Sequence, residues 1–312
     1  MVTNFNKNIK KFNLVVTNLF VRKKKIKGRE YYYIVKSTRL NKNKWKKIEH
    51  YIGLNPPSKK DLEKYEMEFD SIKEFLLSKN TELERIRALY LNKLKKSTKD
   101  ELMKIENDIL IRFTYDTNRI EGSTLTYKDT KMLLQDGISP KEKPIRDIKE
   151  AENHKKAFVY MKNNIPIGIT KELILTLHKL LKENVTEDAG IFRDAQVRVG
   201  ELIPIKAEMV DTEIKNLILW YGKNKAMHPL ELASVFHCIF ERIHPFFDGN
   251  GRVGRLLLNF ILLKTSYPIV IIQNKNKRRY YNALNRADNG NYLYMVKYLF
   301  SELEKQSKIY YS

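Results

Sequence analysis

One cysteine, Cys238, in 312 residues excludes an intrachain disulfide, so the fold must hold without covalent cross-links. That usage fits a reducing compartment, and the expected location is the cytoplasm. Long apolar runs are also missing. No eighteen consecutive residues are apolar, which excludes a transmembrane helix and any membrane partner read from one. The first twenty residues, MVTNFNKNIKKFNLVVTNLF, are apolar only over Leu14–Phe20 and carry no small-residue cleavage site, so no signal peptide is expected. Glycine (12) and proline (9) are too few for a low-complexity linker, and no internal repeat is visible. Acid is scarce: 37 Asp+Glu face 59 Lys+Arg, a net charge of +22. Residues 1–60 hold 17 basic and 2 acidic residues, net +15, against 42 and 35, net +7, in the remainder. Such an excess is read either as a solvated basic surface or as contact with a polyanion such as nucleic acid.

What is present is apolar patterning, at 42% hydrophobic residues, enough for a large core. Over 29–54 an aromatic and β-branched run, Tyr31–Val35, is followed by turn residues Asn41-Lys42-Asn43-Lys44 and an alternating stretch, Trp45–Ile52, which predicts a β-hairpin. Asn55-Pro56-Pro57-Ser58 then breaks the chain, with Ser58 placed to cap a helix. Residues 59–119 show helical periodicity in Lys, Glu and Leu and predict two or three helices. Further helices are predicted at 101–121, 127–135, 144–163, 170–185, 209–224, 229–243, 251–266 and 276–306. Leu232, Phe236, Ile239, Phe240 and Ile243 share one face of theirs and should point to the core. Gln196–Pro204, turning at Gly200, predicts a short strand–turn–strand. The fold class is therefore mainly α, divided into a basic β-hairpin region (1–56), a helical connector (57–99) and a helical domain (100–312).

Chemistry concentrates in His244-Pro245-Phe246-Phe247-Asp248-Gly249-Asn250-Gly251-Arg252-Val253-Gly254-Arg255. A buried helix ends before it and another begins near Gly251. Glycines at 249 and 251 permit close backbone approach, and the new helix offers free N–H groups and the positive end of its dipole to an anion. Arg252 and Arg255 add bidentate donors for phosphate oxygens. Asp248 is a hard oxygen ligand suited to Mg²⁺, and His244 can take a proton near neutral pH. Each feature alone is commonplace, but together within twelve residues they describe a site for a metal-bound polyphosphate with a base beside it.

Here the chain resembles the Fic (Fido) family. His244–Arg255 matches its signature, HxFx(D/E)GNGRxxR, at every specified position, and the likeness extends over residues 100–305 through GIFRDAQVRVG (Gly190–Gly200), HPLELASVFHCIFERIHPF (His228–Phe246) and RRYYNALNRADNG (Arg278–Gly290). The resemblance implies a Fic-type helical domain with a short β-hairpin flap. It implies a protein adenylyltransferase that moves AMP from ATP to a Ser, Thr or Tyr hydroxyl of a target protein. It casts His244 as the base, Asp248 as the ligand of Mg²⁺ (or Mn²⁺), and Gly249, Asn250 and Gly251 as the phosphate cradle. Arg252 and Arg255 would bind the β- and γ-phosphates, and Phe246 would anchor the loop. Val197, Val199, Gly200 and Leu202 would form the flap that holds the target segment. Tyr280 and Tyr281 match positions near adenine and ribose, whereas Asp288 stands where relatives often have Asn and leaves the base open.

Thr117-Asn118-Arg119-Ile120-Glu121-Gly122 fits the family's inhibitory motif, (S/T)xxxE(G/N). Thr117 and Glu121 share a helical face, Gly122 suits the helix end, and the resemblance pairs Glu121 with Arg255 as a brake on ATP binding. Three alternatives stand beside the inhibited transferase. Glu121 could orient a water that removes AMP from modified targets, alone or with the forward reaction. UMP, GMP or phosphate could be the transferred group. Residues 1–60 could bind nucleic acid, with the helical domain as a nucleotide sensor.

Overall fold

The computed structural model describes residues 17–26, 29–41, 44–53, 55–200 and 202–311. Three strands, β1 (Thr17–Ile26), β2 (Arg29–Asn41) and β3 (Lys44–Gly53), form an antiparallel sheet in that order. Strands β2 and β3 are the expected hairpin, and β1 is an addition. Its sequence, TNLFVRKKKI, ends in a basic run with no apolar alternation, so pairing with β2 rather than intrinsic propensity makes it a strand. Tyr31 and Tyr33, two apart on β2, bury against Met209, and the Tyr31 hydroxyl lies 3.8 Å from the Met209 sulfur.

Helices follow: α1 (Lys59–Ser78), α2 (Asn80–Lys96), α3 (Lys99–Ile120), α4 (Tyr127–Asp136), α5 (Ile145–Asn163), α6 (Lys171–Lys182), α7 (Val210–Lys223), α8 (Pro229–Ile243), α9 (Asn250–Lys264), α10 (Lys277–Asp288) and α11 (Leu293–Tyr310). Capping residues start several of them. Ser58 caps α1 as expected, its hydroxyl accepting the Asp61 N–H at 3.1 Å while the Asp61 carboxylate accepts the Ser58 N–H at 2.9 Å. Thr98 with Glu101 and Thr126 with Asp129 repeat this box at α3 and α4.

Helices α8 and α9 form the centre. The expected stripe on α8 (Leu232, Phe236, Ile239, Phe240, Ile243) is buried, as are Val253, Leu256, Leu257, Phe260 and Ile261 of α9. Burial of one such side chain contributes about 1.5–3 kcal/mol. Ile72, Leu76, Leu83 and Ile86 of α1 and α2 join the same core. No helix among the described residues is long and apolar enough to cross a membrane.

Two helix boundaries differ from expectation. The helix expected at 170–185 stops at Lys182, two residues before Asn184 takes a φ of 56°. The one expected at 276–306 is two helices, α10 and α11. Gly290 ends α10 with a φ of 83°, its N–H donating to Ala287 O (2.8 Å) and that of Asn291 to Arg286 O (3.0 Å). A Cβ at Gly290 would stand 2.9 Å from the Tyr65 ring of α1, so glycine suits this turn by packing as well as by its positive φ. Asn289-Gly290-Asn291 carries that signal in the sequence.

Candidate active site

Helix α8 ends at His244, which adopts a left-handed conformation with φ 50°. A non-glycine residue there is held only by its surroundings. Arg193, almost fully buried, donates from Nε to the His244 carbonyl at 2.7 Å, and the Arg193 N–H donates to Pro245 O at 2.9 Å. Asn250 grips the next residue, accepting the Phe246 N–H at 2.9 Å and donating to Phe246 O at 2.8 Å. With its side chain so engaged, Asn250 offers an anion its main-chain N–H. Phe246 is fully buried and stacks on His178 with ring centres 3.7 Å apart. Phe246→Ala is expected to cost roughly 3–5 kcal/mol of stability, to be measured by urea denaturation. A loss below about 1 kcal/mol would show that the stack does not anchor the loop.

The imidazole of His244 is half-buried, with Nδ1 3.2 Å from Glu241 O. A carbonyl only accepts, so Nδ1 carries the proton and Nε2 is left as the acceptor. Burial, with Arg193 adding to it, lowers the pKa below the ordinary 6.5 and keeps the ring neutral.

Asp248 lies at the loop tip with its side chain 43% exposed. Its Oδ1 accepts the Gly249 N–H at 2.6 Å, and its Oδ2 is 2.6 Å from Lys182 Nζ and 3.2 Å from Arg146 Nη2. Burial alone would raise its pKa, but Lys182 and Arg252 outweigh that and hold it at about 2. Arg252 is 1% exposed, 2.9 Å from Glu150 Oε2, and its Nε has no hydrogen-bond partner among the described residues. That leaves a buried cationic donor at the N-terminal turn of α9.

The third cluster joins residues more than 130 apart in sequence. Arg255, almost fully buried, donates from Nε to Thr117 Oγ1 at 2.6 Å and from Nη2 to Glu121 Oε1 at 2.5 Å. Burial would lower its pKa, but the adjacent Glu121 carboxylate raises it. Gly122 follows with φ 98°, and Ser123 donates to Asn118 O at 3.0 Å, which closes α3 and aims Glu121 at α9. A Cβ on Gly251 would meet the Glu121 carboxylate and, at 2.8 Å, Arg255 Nη1, so glycine here leaves room for the ion pair beside the start of α9.

The remaining expected residues are placed less evenly. Tyr280 is buried with its hydroxyl 2.8 Å from His237 Nε2, whereas Tyr281 is 42% exposed. Val199 and Leu202 form a single antiparallel bridge around Gly200 (φ 59°), with Val197 half-buried before it. Arg193 also donates to Ala195 O (3.0 Å) and to Ile205 O, so one guanidinium ties both ends of that turn to the His244 loop.

Sequence reasoning assigned no role to Arg193, Lys182, Glu150, Arg146 or Glu241. Arg193 sits inside the quoted GIFRDAQVRVG string, the one signal for it. Burial pushes the Glu241 carboxyl up to about 8, against the pull of Arg255.

The Fic/DOC family profile matches residues 168–262. The chain is 30% identical over 226 residues to the protein adenylyltransferase fic-1 of Caenorhabditis elegans, covering 70% of this chain and 44% of that protein. It is likewise 30% identical over 191 residues to the protein adenylyltransferase Fic of Nematostella vectensis, covering 59% and 45%. The chain thus spans less than half the length of the curated relatives it matches. Among solved structures, a Fic domain containing signaling protein from Bacteroides thetaiotaomicron superposes with a TM-score of 0.68 at 26% identity, covering 73% of this chain and 95% of that one. Residues 134–508 of C. elegans Fic-1 superpose with a TM-score of 0.66 at 26% identity, covering 75% and 71%.

Proposed function

The chain belongs to the Fic/DOC family, and from that premise we propose that it is a protein adenylyltransferase transferring AMP from ATP to a Ser, Thr or Tyr hydroxyl of a target protein, held in check by Glu121. One observation carries this reading. A neutral imidazole, an ionised carboxylate and a buried arginine with a donor to spare converge where α9 offers its N-terminal N–H groups. Nε2 of His244 takes the proton of the target hydroxyl, whose oxygen attacks the α-phosphorus as pyrophosphate leaves. Arg252 and the N–H groups of Gly249, Asn250 and Gly251 hold the phosphate oxygens. The turn around Gly200 lies beside this loop and would align the target segment by adding a strand.

Asp248 suits Mg²⁺ or Mn²⁺. It is an ionised hard donor, partly open to solvent, and no group of three or more His, Cys, Asp or Glu among the described residues is placed to cage a metal. A lone carboxylate fits a cation bound mainly through phosphates and water. Such a cation would neutralise phosphate charge.

The test is incubation of the Glu121→Gly variant with a cell extract and ATP labelled at either the α- or the γ-phosphorus. Protein bands labelled only by the α-label are expected. Label from γ alone would mean phosphoryl transfer, and none from either would remove the reading. Asp248→Ala in the same background should lower labelling by about a hundredfold, as should excess EDTA, consistent with the several kcal/mol a metal supplies. Undiminished labelling in EDTA would contradict the metal role.

A further inference from the structure

Lys182 ends α6 with 1% of its side chain exposed, a poor place for an ammonium unless something there needs it. Its Nζ lies 2.6 Å from Asp248 Oδ2 and 3.2 Å from Glu150 Oε1. Glu150, itself 6% exposed, is already paired with Arg252 (2.9 Å) and Arg146 (3.3 Å). Arg146 and Arg252 also approach Asp248, at 3.2 and 3.6 Å. Three cations therefore surround two carboxylates, and the one closest to Asp248 is buried.

That arrangement bears on any divalent cation directed to Asp248. A bare dication would gain one carboxylate and meet Lys182, Arg146 and Arg252, all within a few ångströms of the same oxygen. With Glu150 counted as well, three positive charges face two negative ones, so a bare dication meets a net positive charge in a partly buried site. A polyphosphate reverses the balance, since its charges attract both the metal and the three side chains. We propose that Lys182 occupies the cation position on Asp248 in the nucleotide-free protein, so that the divalent metal is admitted only together with a polyphosphate. The inference rests on the reading of this loop as a metal–polyphosphate site, and makes Lys182 a positioning residue.

The test is Mn²⁺ binding to nucleotide-free protein, followed by the electron paramagnetic resonance signal of free Mn²⁺. Lys182→Met should bind Mn²⁺ about tenfold or more tightly than the wild type. Lys182→Arg, which keeps the charge, should match the wild type, and Asp248→Ala added to Lys182→Met should abolish the gain. A Lys that merely pins α6 to the loop would lower thermal stability on removal without this change. Equal Mn²⁺ affinity in wild type and Lys182→Met would overturn the inference. So would tight Mn²⁺ binding by the wild type that α,β-methylene-ATP does not strengthen, a measurement that needs no variant to fold. Mn²⁺ binding is read without turnover, so failure of AMP transfer leaves these outcomes to be judged separately.

Discussion

His244→Ala in the Glu121→Gly background is expected to abolish labelling of targets by α-labelled ATP while ATP binding persists. Nδ1 is held by the Glu241 carbonyl, so Nε2 is the free acceptor, and a lowered pKa keeps it unprotonated at neutral pH. The left-handed backbone that presents the ring is fixed through main-chain groups, the His244 carbonyl by Arg193 and the Phe246 N–H by Asn250. Alanine therefore removes the base and leaves the phosphate loop standing. General-base catalysis of this kind contributes about 10²–10⁴-fold. The pH profile provides a second check. Because the folded pKa is lowered, protonation switches the base off only at acidic pH, and the acidic limb of the rate should fall below pH 6.5. Initial rates of labelling decide the matter, with isothermal titration of ATP as the control for binding. Comparable rates for Glu121→Gly with and without His244 would remove the histidine from the mechanism.

Glu121→Gly alone is expected to raise the transfer rate about tenfold or more and to tighten productive ATP binding. In the structure Glu121 Oε1 sits 2.5 Å from Arg255 Nη2, and Thr117 Oγ1 accepts from the same guanidinium at 2.6 Å. Arg255 cannot serve this carboxylate and a γ-phosphate together, and the carboxylate also repels the phosphate. A charge-assisted contact of this kind is worth about 1.5–3 kcal/mol, about a tenfold effect or larger. The helix end tolerates glycine, since Glu121 already lies at the C-cap, where α3 stops. Arg255→Ala should not mimic activation, because on the proposed reading it removes the partner of Glu121 and a phosphate ligand at once. Rates for wild type, Glu121→Gly and Glu121→Gly/Arg255→Ala test this. A Glu121→Gly variant no faster than wild type would place the brake elsewhere. If that variant also lost release of AMP from a pre-modified target, the reverse reaction would be favoured.

Locally encoded features were readable from the sequence. The residues of the 244–255 loop are neighbours along the chain, so one helix end, one turn and one helix start bring His244, Asp248 and Arg252 together by short-range geometry. Capping at Ser58, the apolar stripe of α8 and the shared face of Thr117 and Glu121 are likewise matters of spacing within a few residues. Long-range packing decided the rest. The sequence alone placed Glu121 opposite Arg255 only through a family likeness, because 134 residues separate them and no local rule bridges that distance. Lys182 meets Asp248 across 66 residues, and Arg193 meets the His244 carbonyl across 51. In a linear chain a lysine at a helix end reads as a solvated charge. Only the approach of α6 and α5 to α9 buries Lys182 and Glu150 and turns them into the charged surroundings of the 244–255 loop. Strand β1 has the same origin. A basic segment became a strand because β2 offered it a partner.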